Sequence, residues 1–242
     1  MIIDPSEHYN SEDHWHGRRP YRAVLPDGSV ETRFYQGPSL HWDGFGPIAA
    51  ALVDALGVAP GSSWFDIGCS AGSFIGFLLQ RGIDPYGADI SAYAVANAAF
   101  AVKGRVACAD VTSDGFAFDR TYDVCSALDL VEHIYIADQP KLWRAFDRTQ
   151  ARTLALDIGT SHHPDDEWIH SPGQPVPLER EVTAVSGHVT VLTINYWRNY
   201  ARTWGWLPDE PAMERFEAWR VSQPGYDAME AWGRRNVLLL RR

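Results

Sequence analysis

The chain is poor in the features from which cross-linked or membrane-spanning proteins are built. Its 242 residues include only three cysteines, at Cys69, Cys108 and Cys125. An odd, low number without close spacing fits neither a disulfide framework nor a zinc site. No stretch approaches the roughly 18 consecutive apolar residues of a transmembrane helix, and the first residues are acidic where a secretion signal needs a basic start. These absences predict a reduced, cytoplasmic globular protein that does not enter a membrane.

Positive charge is also scarce. The 21 Lys and Arg residues stand against 31 Asp and Glu residues, which gives a formal net charge of -10. Just two of the basic residues are lysines, Lys103 and Lys141. An acidic protein repels the phosphate backbone of nucleic acids and the anionic headgroups of membranes. We therefore expect a small molecule as partner, and neither nucleic acid nor membrane; the composition leaves the oligomeric state open.

From residue 47 onward, segments with helical spacing alternate with short apolar runs that are typical of buried strands. This alternation predicts βαβ units, and therefore an α/β fold with a mostly parallel sheet covered by helices on both faces. The predicted helices span residues 47–57, 73–80, 92–103, 141–148, 194–204 and 212–220. The predicted strands span residues 64–67, 85–90, 106–111, 122–128, 153–158 and 236–240.

Two segments lack this alternation. Residues 1–38 are polar and aromatic with scattered proline and glycine, and we interpret residues 1–45 as an irregular arm or lid. Residues 159–186 contain four prolines and two glycines without a clear period, which predicts a cap inserted at about 159–191. The rest of 46–242 then forms one domain. Because function often lies on loops over a rigid scaffold, arm and cap are expected to cover a ligand pocket.

A glycine turn follows the first predicted strand and precedes the helix at 73–80. Gly68 and Gly72 let the backbone turn sharply and approach a ligand closely, and the start of a helix favours a carboxylate or phosphate. The two glycines lie four positions apart, with Asp66 two positions before the first, which departs from the dinucleotide fingerprint G-x-G-x-x-G. Ser70, between them, is expected to need only an ordinary backbone angle.

Acidic residues stand at the ends of the next two strands. Asp89 lies about 20 positions past the turn, where an acid in such a sheet holds the hydroxyls of a ribose. Asp110 ends the third strand, where its side chain can accept a proton of the adenine amino group. Each acid alone is equally compatible with a helix cap or a solvated loop. Together with Asp66, they occur in order at consecutive strand ends, which indicates an adenosine-like ligand.

The ordered motifs WFDIGCSAG, GADIS, ADV and YDVCSALDLVEHI resemble those of the class I S-adenosylmethionine (SAM)-dependent methyltransferases, over about residues 45–160. They are most similar to the small-molecule branch with a Leu-Glu-His type signature after the fourth strand, which here reads VEH. A weaker similarity covers GHVTV, followed by YW, after the fifth strand. The resemblance implies a Rossmann-like fold, SAM as cofactor, and transfer of its methyl group to an O or N atom, less readily a C atom, of a metabolite.

The resemblance also implies a cofactor site. Its residues are Asp66, Gly68, Ser70, Gly72, Asp89, Ile90, Asp110, Val111, Leu128 and Asp129. The first four would hold the methionine half of SAM, with Asp66 orienting the amino group. Asp89 would hold the ribose. Ile90, Asp110 and Val111 would surround the adenine, and the last two residues would border the sulfonium.

Methyl transfer needs alignment and, for a hydroxyl or protonated amine, removal of a proton. Histidine titrates near neutral pH and is the natural base. His133 follows the fourth strand, at the edge of the sheet where ligands bind, and His188 lies near the end of the predicted cap. We take both as candidate catalytic residues, with His188 preferred. A structural hydrogen bond from either ring, or proton removal by Asp129 or Glu132, remains an alternative.

The histidine-rich run 162–170 is the one segment that suggests a metal site. Adjacent residues rarely point at one ion, and the run lies in a proline-rich loop, so the sequence predicts a solvated loop, no metal, and activity that survives chelation. Two other functions stay open. The chain could bind SAM without transferring methyl, as a cyclase or regulatory module, or it could methylate protein or nucleic acid. The Asn/Asp-Pro-Pro-aromatic motif of base methylation is absent after the fourth strand.

Overall fold

The computed structural model describes residues 5–37, 40–41, 43–223 and 236–242. The described part of the N-terminal arm is regular rather than irregular. It consists of α1 (Pro5–Asn10), α2 (Glu12–Trp15), β1 (Arg19–Val24) and β2 (Val30–Tyr35). Residues 1–4, 38–39 and 42 of the predicted arm lie outside the described residues.

The prediction of an irregular arm was wrong because the turn between β1 and β2 was not recognised. The two strands pair antiparallel, from Arg19 opposite Tyr35 to Val24 opposite Val30. Asp27 accepts hydrogen bonds from the backbone N–H of Ser29 at 2.9 Å and from its hydroxyl at 2.7 Å. The Pro-Asp-Gly sequence at 26–28 is a turn signal with this mechanism. The arm therefore presents a built hairpin, which can cover a neighbouring surface.

The central domain begins with the expected alternation. Its elements are α3 (Phe45–Leu56), β3 (Ser63–Ile67), α4 (Ser73–Gln80), β4 (Asp84–Asp89), α5 (Ala92–Ala96), β5 (Val106–Cys108), β6 (Val124–Leu128), α6 (Gln139–Arg148) and β7 (Thr153–Asp157). The remaining elements are β8 (Trp168–Ile169), α7 (Glu181–Val185), β9 (Thr190–Val191), α8 (Ile194–Thr203), β10 (Leu207–Pro208), α9 (Glu210–Ser222) and β11 (Val237–Arg241).

Seven strands form one sheet in the order β10-β11-β7-β6-β3-β4-β5. The five strands from β7 to β5 run parallel, and β11 and β10 add to the β7 edge in antiparallel pairs. The predicted α/β, Rossmann-like fold is confirmed. The reversal of strand order beside β3 places the carboxyl ends of β3, β4 and β6 around one crevice, where ligands bind in open α/β sheets.

Two predicted elements are shorter than their sequence pattern suggested. The helix at 92–103 ends at Ala96, where the side chain of Asn97 donates to the carbonyl of Tyr93 at 2.9 Å, and a single 3-10 turn follows at Phe100–Val102. The third strand ends at Cys108, so Asp110 lies in the turn beyond it. An asparagine side chain that bonds to the backbone competes with the helix and ends it.

The predicted cap contains the short β8–β9 hairpin and α7, and is packed on a small apolar cluster of its own. Val176, Ala184 and Val189 are buried in this cluster together with Tyr135 of the central domain. The arm is joined to the cap by Arg22, whose guanidinium and backbone N–H donate to the carboxylate of the buried Glu181 at 2.5 Å and 2.8 Å. Among the described residues, no helix has the length and apolarity to span a bilayer.

Candidate active site

Three residues of the glycine turn after β3 have backbone angles in the left-handed region. Gly68 and Gly72 have φ of 79°, and Ser70 has φ of 51°. A Cβ on Gly68 would lie 3.0 Å from Leu130, and one on Gly72 would lie 2.9 Å from Val106, so both positions need glycine. The expectation of an ordinary angle at Ser70 was wrong, because the turn requires positive φ there and the N–H of Ser70 must reach Asp89.

Asp89 ties this turn to the end of β4. One carboxylate oxygen accepts the backbone N–H of Ser70 at 2.8 Å, and the other accepts that of Ser91 at 2.7 Å. Burial raises the pKa of Asp89, although these two N–H groups act in the opposite direction. The two bonds fix the carboxylate, and each oxygen keeps a lone pair for another donor. Ile90 is 43% exposed beside it.

Asp66 lies buried at the end of β3, at the centre of a polar chain. Trp64 donates to the hydroxyl of Ser126 at 2.8 Å, and that hydroxyl donates to Asp66 at 2.5 Å. Burial raises the pKa of Asp66 to about 7, against the opposite effect of the Ser126 bond. A carboxyl group poised near neutral pH can become a charged partner for a cation that enters beside it.

Asp110, just beyond the end of β5, is exposed. The Oδ1 atom of Asp110 accepts the backbone N–H and the hydroxyl of Thr112, at 2.9 Å and 2.6 Å. Val111, the next residue, is buried in the core. This local turn holds the Asp110 carboxylate in place after β5 has ended.

Beyond β6 the chain turns through Asp129, which has φ of 55° and donates its N–H to the carbonyl of Asp157 at 2.9 Å. Its Oδ1 atom lies 3.8 Å from Nε2 of His133 and 3.9 Å from Nε2 of His188. The rings of His133 and His188 meet edge to face, with centroids 4.7 Å apart. The two candidate catalytic histidines, 55 positions apart in sequence, are therefore neighbours at one carboxylate.

Burial changes the acid-base properties of this cluster. It lowers the pKa of His188 to about 4, with a smaller electrostatic contribution from the neighbouring His133. Glu132 is fully buried, and Gly159 donates its N–H to Oε1 of its carboxylate. Burial and the charge of Asp129 raise the pKa of Glu132 and also of Asp157 well above the usual range. His188 is therefore neutral at neutral pH and carries a free lone pair.

Tyr9 of the arm reaches into this cluster. Its hydroxyl lies 2.6 Å from Nδ1 of His133 and donates to the carbonyl of Gly187 at 3.3 Å. Burial, with the charge of Asp129, raises the pKa of Tyr9 well above 10.0, so the hydroxyl stays protonated. The backbone of Tyr9 also accepts the hydroxyl of Ser91 at 2.6 Å, which anchors α1 beside Asp89. From the sequence, Tyr9 is a candidate to close over the cofactor or a packing residue of the arm, and nothing local indicates His133 as its partner.

One cavity of about 410 Å³ connects these groups. Every residue predicted to contact cofactor or acceptor lines it except Gly72, which serves the turn and packs beside Val102 and Val106. The arm contributes Tyr9, His14, Trp15 and Tyr35 to the wall. Pockets of this size bind small molecules.

The histidine-rich run 162–170 does not contribute to this cavity. His163 is exposed and lies 3.3 Å from Asp165, whereas His170 is buried and stacks on Trp168. Among the described residues, the group of His and acidic side chains close enough to share an ion is instead Asp129, Glu132, His133 and His188.

A family profile described as "Methyltransferase domain" matches residues 65–152. This part of the chain is therefore similar to a methyltransferase domain. The matched segment runs from β3 to the end of α6, and so contains the glycine turn and the acids of the three strand ends. No curated protein sequence matches the chain with significance.

Solved structures with the same fold match over most of this chain. The 1,6-didemethyltoxoflavin-N1-methyltransferase of Burkholderia thailandensis is 13% identical, over 83% of this chain and 78% of its own, with a TM-score of 0.55. The [4+2]-cyclase SpnF is 16% identical over 81% and 80%, with a TM-score of 0.53. Geranyl diphosphate C-methyltransferase of Streptomyces coelicolor A3(2) is 15% identical over 80% and 78%, with a TM-score of 0.52. At sequence identities of 13–16%, the similarity shows a shared fold alone.

Proposed function

We propose that this protein transfers the methyl group of SAM to an oxygen or nitrogen atom of an uncharged small-molecule acceptor. The observation that carries the proposal is the single cavity that joins the turn and acids of β3, β4 and β5 to the His133–His188 pair. A cofactor at one end and a proton acceptor at the other are the two requirements of methyl transfer to O or N.

The cofactor end fits the methionine and adenosine halves of SAM. Gly68, Ser70 and Gly72 form the turn that receives the methionine half, and Asp66 faces the same space with a carboxyl group that can pair with its amino group. Asp89, fixed by two backbone N–H groups, is placed to accept the ribose hydroxyls. Ile90, Asp110 and Val111 would then border the adenine, and Leu128 and Asp129 the sulfonium.

The acceptor end is formed by the arm and by the cap. We propose residues 1–45 and 159–191 as the lid and cap over this end, held together by the Arg22–Glu181 ion pair. Among the described wall residues, the one Lys or Arg is Lys141, and it is already paired with Asp138 at 2.7 Å. A wall of tyrosine, tryptophan and histidine with no spare cation favours an uncharged, partly apolar acceptor over a phosphorylated one.

Proton removal is assigned to His188 or His133. His188 is neutral at neutral pH and holds a lone pair beside Asp129, whose charge stabilises the imidazolium that would form. His133 is held by Tyr9 and lies against the same carboxylate. We prefer His188 because 26% of its side chain is exposed, against 9% for His133.

The test is methyl transfer from labelled SAM to a panel of small hydroxyl and amine acceptors. His188→Ala or His133→Ala should lower turnover by roughly 10²–10⁴-fold, the usual contribution of a positioned base, with little change in the affinity for SAM. His163→Ala, outside the cavity, should retain normal turnover. If both cavity variants keep near-normal turnover, alignment carries the reaction and the histidine assignment is wrong.

A further inference from the structure

Four side chains with metal-binding chemistry meet at the acceptor end of the cavity. Asp129, Glu132, His133 and His188 each offer one ligand atom, and these atoms all lie within 4.8 Å of one another. Three come from the segment that leaves β6, and His188 comes from the segment before β9. The separations of 3.8 Å and 3.9 Å from Asp129 to the two imidazole nitrogens are too long for hydrogen bonds.

Tyr9 engages one nitrogen of the His133 ring. Its hydroxyl lies 2.6 Å from Nδ1 of His133 and 3.3 Å from the carbonyl oxygen of Gly187. Because Tyr9 holds Nδ1, Nε2 is the ring nitrogen that faces Asp129. In metal sites, the second nitrogen of a ligating histidine is held by a hydrogen bond of this kind.

The buried carboxyl group of Glu132 is only partly hydrogen-bonded. Its side chain is fully buried, and among the described residues its Oε2 atom has no hydrogen-bond partner. A buried polar atom of this sort needs a partner or an ion. The Asp129 carboxylate, two imidazole nitrogens and this unpartnered carboxylate oxygen lie close together, an arrangement that suits a cation.

Two glycines let the backbone approach this group. A Cβ at Gly159 would lie 2.6 Å from Oε1 of Glu132 and 2.9 Å from Cε1 of His188. A Cβ at Gly187 would lie 2.2 Å from the Tyr9 hydroxyl and 2.9 Å from Nδ1 of His133. Both residues exclude side chains from the space around the four ligand atoms, so the cluster is closely surrounded by backbone on two sides and open to the cavity through Asp129.

We propose that Asp129, Glu132, His133 and His188 together bind one divalent first-row transition-metal ion. Imidazole nitrogens suit Zn²⁺, Co²⁺ or Fe²⁺, whereas Mg²⁺ prefers oxygen ligands and bound water. The two carboxylates balance the charge of a divalent ion. Part of this proposal rests on the proposed function: at this place the ion would bind the acceptor atom and make its proton acidic enough to pass to water. The methyl group would then leave the sulfonium for that atom, with S-adenosylhomocysteine as the leaving group, and the two histidines would be ligands rather than bases.

Metal binding is tested without an acceptor. Metal-free protein saturated with S-adenosylhomocysteine is titrated with Co²⁺, followed by its visible absorption, and with Zn²⁺ by calorimetry. We expect one ion per chain, and binding of Mg²⁺ at least tenfold weaker. Asp129→Asn and His188→Ala should each weaken binding at least tenfold, while the loop variant His163→Ala should bind as the wild type does. Of the cluster variants, Asp129→Asn should disturb the fold least, because the Asp129 side chain is 63% exposed and asparagine tolerates the positive φ at this position.

A cooperative thermal unfolding transition like that of the metal-free wild type shows that each metal-free variant is folded. The absence of stoichiometric binding, unchanged affinity in both cluster variants, or loss of binding in His163→Ala would overturn the metal site. Labelled transfer by the chelated protein is measured in parallel. If the metal-free protein transfers methyl at the full rate, the histidines act as bases and the proposed function stands without the ion. If Co²⁺ binds but no acceptor is methylated, the proposed function is wrong and the metal site stands.

Discussion

Asp66 should make the affinity for the cofactor depend on pH near neutrality. Its pKa of about 7 means that the carboxyl group is mostly protonated below neutral pH. The amino group of SAM or S-adenosylhomocysteine, with an ordinary pKa of about 7.7–8.0, stays charged over the same range. Ionised Asp66 attracts this ammonium group, so binding should tighten as Asp66 loses its proton.

The size of the effect follows from the pKa. With a pKa of about 7, the ionised fraction rises from roughly 3% at pH 5.5 to about half at pH 7.0, so the apparent Kd should fall by roughly tenfold. The same shift acts on stability with the opposite sign. Because the folded pKa lies above the ordinary 3.8, ionisation costs stability progressively between pH 3.8 and about 7. At pH 8, Asp66→Asn should therefore be more stable than the wild type by up to about 4 kcal/mol.

The assay is calorimetric titration with S-adenosylhomocysteine at pH 5.5, 6.2 and 7.0, on the wild type, Asp66→Asn and Asp110→Asn. The asparagine at 66 keeps an acceptor for Ser126, and it should bind weakly with little dependence on pH. Asp110→Asn should bind S-adenosylhomocysteine more weakly overall but keep the tenfold change in apparent Kd. A flat profile in the wild type, or an equal slope in Asp66→Asn, would refute the pairing of Asp66 with the amino group.

Three further outcomes are expected. Asp89→Ala should weaken cofactor binding by about 1–3 kcal/mol in calorimetry, because charge-assisted hydrogen bonds to the ribose are lost; unchanged affinity would remove that assignment. In urea unfolding, Ser70→Val should be less stable than Ser70→Gly by about 1–2 kcal/mol, since a β-branched residue is strained at positive φ; equal stabilities would show that the turn relaxes. Deleting residues 1–38 should abolish methyl transfer yet leave a cooperatively folding core, and normal turnover by the truncated chain would contradict the role of the arm.

Much of the scaffold could be predicted because it depends on local pattern. Alternating apolar runs and helical spacing predict the parallel strands correctly to within about two residues at most ends, and the acids that follow them must meet at one edge of the sheet. Asp66, Asp89 and Asp110 do line one cavity. Local pattern was weaker where a side chain competes with the backbone, as at Asn97, which ends a helix that the spacing alone would continue.

The arm shows a different limit. Its hairpin has a local signal, the Pro-Asp-Gly turn at 26–28, but its position over the cavity does not. Tyr9 meets His133 across 124 positions of sequence, and Arg22 meets Glu181 across 159. Contacts between residues so far apart in sequence depend on how the arm packs against the completed domain. No periodicity or motif in either segment specifies them.

The sequence by itself determined the fold, the order of the glycine turn and acids, and the cofactor that they imply. Each of these follows from short local motifs and from the periodicity of apolar residues. Only the tertiary structure decided the chemistry of the acceptor end. It brought His188 beside Asp129 and His133 and placed the unpartnered Glu132 carboxylate among them. It also removed enough water to lower the pKa of His188 to about 4 and raise that of Asp66 to about 7. Burial and long-range contact exist only after the chain has folded, and they determine the protonation state of each group.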